Sequence, residues 1–196
     1  MDKIRIGIVG YGNLGRGVQY ASAQNADTEV VAVYTRRAPE SVKTLLPVKV
    51  EKYEDMKNYV GKIDVMILCG GSATDLPAQS AEIAGLFNTV DSFDTHAKIP
   101  EYFAALDKSA KDAGHLSAMS IGWDPGLFSL ARIYFGSSLA AGSTYTFWGK
   151  GVSQGHSDAI RRVKGVMDAR QYTVPVESAL ERVRRGENPQ LTTREK

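Results

Sequence analysis

Three glycines, Gly10, Gly12 and Gly15, stand in Gly10-Tyr11-Gly12-Asn13-Leu14-Gly15, just after the apolar run Ile4-Arg5-Ile6-Gly7-Ile8-Val9 and at the start of a helical pattern over Leu14 to Gln24. Glycines at this spacing between a strand and a helix allow a tight turn, close approach of the backbone to a pyrophosphate, and close packing of helix on sheet. The helix start then faces the phosphates with free N–H groups and the positive end of its dipole. A second strand follows at Glu29-Val30-Val31-Ala32-Val33-Tyr34, and where an acidic residue usually holds the ribose 2′-hydroxyl of NAD the chain reads Thr35-Arg36-Arg37. A carboxylate there would repel a 2′-phosphate. Two guanidinium forks match phosphate oxygens, and Thr35 adds a hydroxyl donor. The expected ligand is therefore NADP(H), against the alternative that the two arginines only decorate a solvated loop.

Other residues of chemical interest lie further along. Cys69-Gly70-Gly71-Ser72-Ala73-Thr74-Asp75 closes a strand with glycines that let backbone approach a cofactor, and Ser72 and Asp75 have capping-box spacing. Cys69 is read as a core or near-core residue, because no base stands beside it to make it a nucleophile. Asp94 and Asp124 are carboxylates beyond strand ends, a residue type used in general acid–base chemistry. Each has a plainer reading: Asp94 caps the following segment, and Asp124 is a helix N-cap with Pro125 at N1. Trp148, in a predicted strand, reads from its type as an ordinary inward-facing tryptophan. Thr173 reads from its type as a structural β-former in a strand. His156 lies in a polar glycine loop, and His96 and His115 do not complete a ligand set at metal spacing, so no metal is expected.

The elements that must position these residues alternate. Further strands are predicted near Val48-Lys49-Val50, at Val65-Met66-Ile67-Leu68, at Thr89-Val90-Asp91-Ser92 and over Leu116 to Ser120. Helices are predicted over Ala73 to Leu86 and Tyr102 to Ala113. Alternation implies a parallel sheet of five or six strands, with ligands gathered outside the strands' C-terminal ends. Beyond Gly122-Trp123-Asp124-Pro125-Gly126 the texture changes to a helix at Leu127 to Phe135, a strand at Thr144 to Trp148, a polar glycine loop from Gly149 to Ser157, and a helix over Val176 to Arg185 whose arginines form its solvated face. The predicted fold is α/β: a Rossmann-type doubly wound parallel sheet over residues 1–120, then a segment of different texture over 121–196.

Composition narrows the partners. The 196 residues carry 24 basic and 22 acidic side chains, a formal charge of +2, and no basic stripe interleaved with aromatics, which argues against nucleic acid or a membrane surface. The single cysteine cannot form an intrachain disulfide, and the charged start Asp2-Lys3 with its short apolar run does not read as a secretory signal. A cytoplasmic location is expected.

Taken together, Val9 to Arg16, Thr35-Arg36-Arg37, Gly71 to Asp75, Gly122 to Gly126, Thr146-Phe147-Trp148-Gly149, Ser153-Gln154-Gly155-His156-Ser157-Asp158 and Gln171-Tyr172-Thr173 closely resemble the meso-diaminopimelate dehydrogenase family along essentially the whole chain. The resemblance implies NADP-dependent, reversible oxidative deamination of meso-2,6-diaminopimelate at its D-centre, giving L-2-amino-6-oxopimelate and ammonia, in lysine and cell-wall biosynthesis, by a homodimer. It also implies that residues 121–196 are part of an α+β substrate-binding and dimerisation domain, and that the chain lacks a C-terminal portion which in the family supplies further substrate contacts and completes the nucleotide domain.

Carried over by position, cofactor contacts fall on Tyr11, Gly12, Asn13 and Leu14; on Thr35, Arg36 and Arg37; on Cys69, Gly70, Gly71 and Ser72; on Ser92, Phe93 and Asp94; and on Ile121, Gly122, Trp123, Asp124 and Pro125. Substrate contacts fall on Asp94, Asp124, Trp148, Gln154, Gly155 and Thr173. Two other readings predict different behaviour. Another Rossmann NADP-dependent oxidoreductase would not turn over meso-diaminopimelate, and a non-catalytic fragment would bind NADP(H) without deamination, with a sheet face left uncovered.

Overall fold

The computed structural model describes residues 2–141 and 150–187, and the chain divides into two compact units, residues 1–134 and 135–196. In the first unit the strands β1 (Ile4–Val9), β2 (Thr28–Thr35), β3 (Lys49–Lys52), β4 (Val65–Leu68), β5 (Asn88–Asp91) and β6 (Ser117–Ala118) form one parallel sheet in the order β3-β2-β1-β4-β5-β6. The expected alternation and parallel pairing are thus present. The chain leaves β1 toward β2 on one side and returns to β4 on the other, so the ends of β1 and β4 flank the crevice where the winding reverses.

Central strands of such a sheet are covered on both faces and read as near-continuous apolar runs. Accordingly Ile6, Ile8 and Val9 of β1 are buried, with Ala32, Val33 and Tyr34 of β2 and Met66 and Leu68 of β4. On one face Val9, Tyr34, Met66 and Leu68 pack with Leu76 and Ile83 of α2 (Asp75–Ala84) and with Tyr102 and Leu106 of α3 (Ile99–Ala113). On the other, Ile6, Ile8 and Val33 pack with Tyr11, Val42 and Val18 of α1 (Asn13–Ala23), while Val65, Ile67 and Cys69 are only partly buried. This second face is the less completely covered of the two.

The crossover from β3 to β4 contains no α-helix; a 3-10 segment, Tyr53–Tyr59, takes its place and buries Met56. Helix α3 begins three residues earlier than its apolar spacing suggested, with Pro100 in its first turn, where a missing N–H has no consequence. It ends at Gly114 in the left-handed conformation. Strand β6 is only two residues long, shorter than the predicted run to Ser120, because Ser120 has φ of 59° and turns the chain out of the sheet.

A buried carboxylate ties the ends of β5 and β6 together. Asp91, at 2% exposure, accepts hydrogen bonds from Tyr102 Oη at 2.6 Å, the Phe93 N–H at 2.9 Å and the Ser120 N–H at 3.1 Å. Its own carbonyl accepts from the Ile121 N–H at 2.8 Å, and Ser120 Oγ donates to the Phe93 carbonyl at 2.8 Å. Phe93 stacks on Tyr102 with centroids 4.0 Å apart. Helix α4 (Leu127–Ser137) follows, and its Leu127, Leu130, Ile133, Tyr134 and Phe135 are all exposed.

In the second unit β7 (Gly151–Ser153) and β8 (Gln171–Thr173) pair antiparallel, with α5 (Gln154–Arg161) between them and α6 (Glu177–Arg184) after them. The polar glycine loop predicted from Gly149 to Ser157 is therefore corrected: it holds a strand and the first turn of a helix. Ser157 Oγ donates to the Ser153 carbonyl at 2.5 Å and accepts the Gln171 N–H at 2.9 Å, so a buried hydroxyl joins the helix start to β8. Helix α6 buries Ala179, Leu180 and Val183; of the arginines expected on its solvated face, Arg184 and the C-cap Arg185 are exposed and Arg182 is half-buried. The strand predicted at Thr144 to Trp148 lies outside the described residues.

Replacing Tyr102 by Phe keeps the stack on Phe93 but leaves Asp91 without its phenol donor. Hydrogen bonds to buried charged groups contribute about 1.5–3 kcal/mol. Chemical denaturation of Tyr102→Phe is expected to show a loss in that range, and a change below about 0.5 kcal/mol would mean that Asp91 does not depend on the phenol.

Candidate functional site

The glycine turn stands at the C-terminal end of β1, where the Gly10 N–H donates to the Tyr34 carbonyl at 2.9 Å and the Cys69 N–H to the Val9 carbonyl at 2.8 Å. These two bonds carry β1 pairing out to the ends of β2 and β4. Gly10 has φ of +88°, a conformation that favours glycine. A Cβ on Gly15 would lie 2.3 Å from the Gly10 carbonyl oxygen, so helix and strand meet in a way no other residue permits. A Cβ on Gly12 would meet nothing within 4 Å. Its backbone therefore faces open space at the head of α1, whose first intrahelical bond runs from the Arg16 N–H to the Gly12 carbonyl at 3.0 Å. Donors before Arg16 have no acceptor within the helix, and no acidic side chain occupies the first turn. An anion fits there.

Tyr11 contributes backbone to this turn. Its ring is buried, its hydroxyl hydrogen-bonds Gln19 Oε1 and accepts the Leu45 N–H at 2.8 Å, and its carbonyl accepts Arg37 Nη2 at 3.0 Å. Asn13 and Leu14 are exposed. Thr35 is buried and its Oγ1 accepts the Arg37 N–H at 3.1 Å, so its hydroxyl shapes the bend after β2 as well as being available as a donor. Arg36 reaches the other way, with Nη2 2.6 Å from Asp75 Oδ1.

After β4 the capping-box reading needs correction. Helix α2 starts at Asp75 with Thr74 at its cap, no side chain caps it, and Asp75 Oδ2 accepts the Gly71 N–H at 3.0 Å, one residue before the predicted Ser72. Ser72 Oγ instead accepts the Asp94 N–H at 3.2 Å, which links the loops after β4 and β5. Cys69 is partly buried, with Sγ 3.8 Å from the Ile67 carbonyl, and burial pushes its thiol up to about 12. That agrees with a packing residue.

The loops after β5 and β6 carry the next group. Phe93 is fully buried, so its ring belongs to the core and only its backbone borders the strand end. Asp94 is exposed and does not cap the following 3-10 turn, whose N-cap is Thr95. Ile121 and Trp123 are exposed, and Trp123 stacks on Phe128 with centroids 5.6 Å apart. The Gly122 N–H donates to the Pro125 carbonyl at 3.1 Å.

Asp124 is not the N-cap of α4, which begins at Leu127. The Leu127 and Phe128 N–H groups bond the carbonyls of Gly122 and Trp123, and Asp124 Oδ1 receives Ser129 Oγ at 3.3 Å and Arg132 Nη2 at 3.2 Å. In the second unit Thr173 pairs with Gly151 and is half-buried, while His156 is exposed with Nδ1 2.9 Å from Ser153 Oγ. Gln154 and Gly155 open α5, and Trp148 lies outside the described residues.

Spacing along the chain did not reveal three contacts: Arg36 with Asp75, Arg132 with Asp124, and Ser72 with Asp94. The partners of the first and third are far apart in sequence. Arg132 and Asp124 are eight residues apart, and the turn at Gly126 hides their proximity.

Strand order, the glycine turn and the open helix start define a Rossmann-type α/β protein with a phosphate-ready turn. Along its whole length the chain is similar to meso-diaminopimelate D-dehydrogenases. It is 62% identical over 196 residues to that of Ureibacillus thermosphaericus and 46% identical over 192 residues to that of Corynebacterium glutamicum. Residues 122–196 match the model of the diaminopimelic acid dehydrogenase C-terminal domain.

Among solved structures, the C. glutamicum DAP dehydrogenase in complex with DAP superposes with a TM-score of 0.82 at 46% identity, over 98% of this chain and 59% of that one. An engineered D-amino acid dehydrogenase bound to NADP+ does so with a TM-score of 0.82 at 43% identity, over the same shares. The chain spans about 60% of the length of the curated relatives it matches.

The state of Cys69 can be tested by alkylation. A thiol near 12 holds roughly a thousandth of the thiolate of a free cysteine at pH 8, so iodoacetamide labelling of the folded protein is expected to be on the order of a hundredfold slower, or more, than in denaturant. Comparable rates by mass spectrometry would instead mark an accessible thiol of ordinary acidity, and faster labelling of the folded protein an activated nucleophile.

Proposed function

We propose that the protein is an NADP-dependent dehydrogenase that oxidatively deaminates meso-2,6-diaminopimelate at its D-centre, reversibly giving L-2-amino-6-oxopimelate and ammonia, within lysine biosynthesis. The reading rests chiefly on one observation: Arg36 and Arg37, rather than a carboxylate, follow β2 beside a glycine turn open to an anion, in a chain similar throughout to enzymes of that name. Residues 1–120 are proposed as the NADP-binding domain and 121–196 as the start of the substrate-binding and dimerisation domain. The proposed setting is a cytoplasmic homodimer.

Bound NADP+ supplies the acceptor for the hydrogen leaving the substrate's α-carbon. The chain's part is orientation and charge. Backbone at Gly10, Tyr11, Gly12, Asn13, Leu14 and Gly15 holds the pyrophosphate, and Arg36 and Arg37 hold the 2′-phosphate. Cys69 to Ser72, Ser92 to Asp94 and Ile121 to Pro125 border the remainder of the dinucleotide.

Asp94 and Asp124 are assigned to the reacting ammonium. Their negative charge favours the cationic iminium that forms when the α-carbon is oxidised, and either carboxylate can take a proton from the water that attacks it. Asp124 already accepts from Ser129 and Arg132, so its oxygens are oriented before substrate arrives, whereas Asp94 stands exposed. Trp148, Gln154, Gly155 and Thr173 are assigned to the rest of the substrate. A second reading, NADP(H) binding without deamination by these 196 residues on their own, is favoured by their spanning about 60% of the relatives' length.

Two measurements test the assignment in the full-length protein. NADPH formation is expected with meso-diaminopimelate and absent with the L,L isomer, and turnover of the L,L isomer or preference for NAD+ would sink the reading. Combining Arg36→Ala with Arg37→Ala is expected to weaken NADP+ about tenfold or more while leaving NAD+ nearly unchanged, since only NADP+ carries the 2′-phosphate. Equal losses would show that the arginines do not hold it.

A further inference from the structure

The two arginines after β2 are held differently. Arg37 donates through Nη2 to an uncharged acceptor, the Tyr11 carbonyl, at 3.0 Å and keeps its full charge. Arg36 is paired with a carboxylate, Asp75 Oδ1, at 2.6 Å. The pair bridges the end of β2 and the first residue of α2, elements that follow different strands. Asp75 is fixed independently of Arg36, because its second oxygen accepts the Gly71 N–H at the helix start. That N–H first, and Arg36 second, hold the Asp75 carboxyl below the usual carboxylate range, so its charge is present at neutral pH. The Arg36 side chain is 64% exposed and reachable from solvent.

Resting on the NADP(H) reading above, we infer that Asp75 sets the strength of 2′-phosphate binding by acting as a competing anion for Arg36. A 2′-phosphate has to share or take over a guanidinium that already has a carboxylate at contact distance. Nothing comparable applies to a nucleotide ending in a 2′-hydroxyl, so Asp75 narrows the margin by which the phosphorylated cofactor is preferred. Exposed ion pairs contribute about 0.2–1 kcal/mol, which bounds the effect at a few-fold in affinity.

Asp75→Asn is a clean test. Its amide oxygen can still accept the Gly71 N–H, while its NH2 group offers Arg36 no acceptor. Calorimetry on the full-length protein with 2′,5′-ADP and 5′-AMP reads binding without turnover. D75N is expected to bind 2′,5′-ADP about two- to fivefold tighter and 5′-AMP unchanged, and the gain is expected to vanish in an Arg36→Ala background.

Unchanged or weaker 2′,5′-ADP binding would overturn the proposal, as would an equal gain with Arg36 removed, which would mean that the carboxylate acts only through its charge at a distance. If the unsubstituted protein binds 2′,5′-ADP no better than 5′-AMP, the NADP(H) reading itself fails and the proposal with it. Should D75N disturb the start of α2, Asp75→Ser provides a hydroxyl for the helix N-terminus and the same comparison.

Discussion

A contact that leaves no room for a side chain, the Gly10 carbonyl against the Gly15 α-carbon, sets where α1 leaves the sheet. With a hypothetical Cβ only 2.3 Å from that oxygen, helix and strand meet too closely for any side chain at Gly15, and α1 starts directly after the end of β1, the strand that β2 and β4 flank. Everything downstream inherits this geometry. Gly12 faces open space because the turn is tight, and the Tyr11 carbonyl lies within reach of Arg37 because β2 runs alongside β1 in parallel register.

The other half of the crevice depends on buried polar groups. Asp91 could be an expensive residue at 2% exposure, but three donors satisfy its carboxylate and its carbonyl holds Ile121. One side chain thereby sets the exit angles of two loops, those carrying Asp94 and Asp124. Ser72 adds a third loop through the Asp94 N–H. Polar bonds suit this task because they are directional: an apolar contact would bury the same surface without specifying where each backbone turns.

Much of this was legible in the sequence, and what was not has identifiable physical reasons. The sheet was readable because strands buried on both faces are apolar throughout, and the glycine turn because close backbone approach excludes every other residue at Gly15. Ser153 to Ser157 looked like a loop because it is polar and contains Gly155, leaving no apolar stripe to mark a helix. Its helical start is instead secured by Ser157, which bonds backward to Ser153 and forward to Gln171, a contact across fourteen residues that no local pattern carries. Asp124 before Pro125 had the form of an N-cap, yet the turn at Gly126 postpones the helix to Leu127 and frees the carboxylate to meet Arg132.

The arginines show the same limit at the level of charge. Side by side in the sequence, Arg36 and Arg37 are chemically identical, and residue type says only that a phosphate would be welcome. The chain bends at Arg36 and Arg37 after β2, and one guanidinium turns toward the glycine turn and the other toward α2. The first meets a carbonyl dipole and keeps a whole positive charge to offer; the second meets Asp75 and offers the remainder of a nearly neutral pair. An anion approaching this corner therefore experiences Arg37 as the stronger attractor, although both side chains are exposed. Counting basic residues overstates the field there, and the correction follows from where the backbone of α2 places one carboxylate.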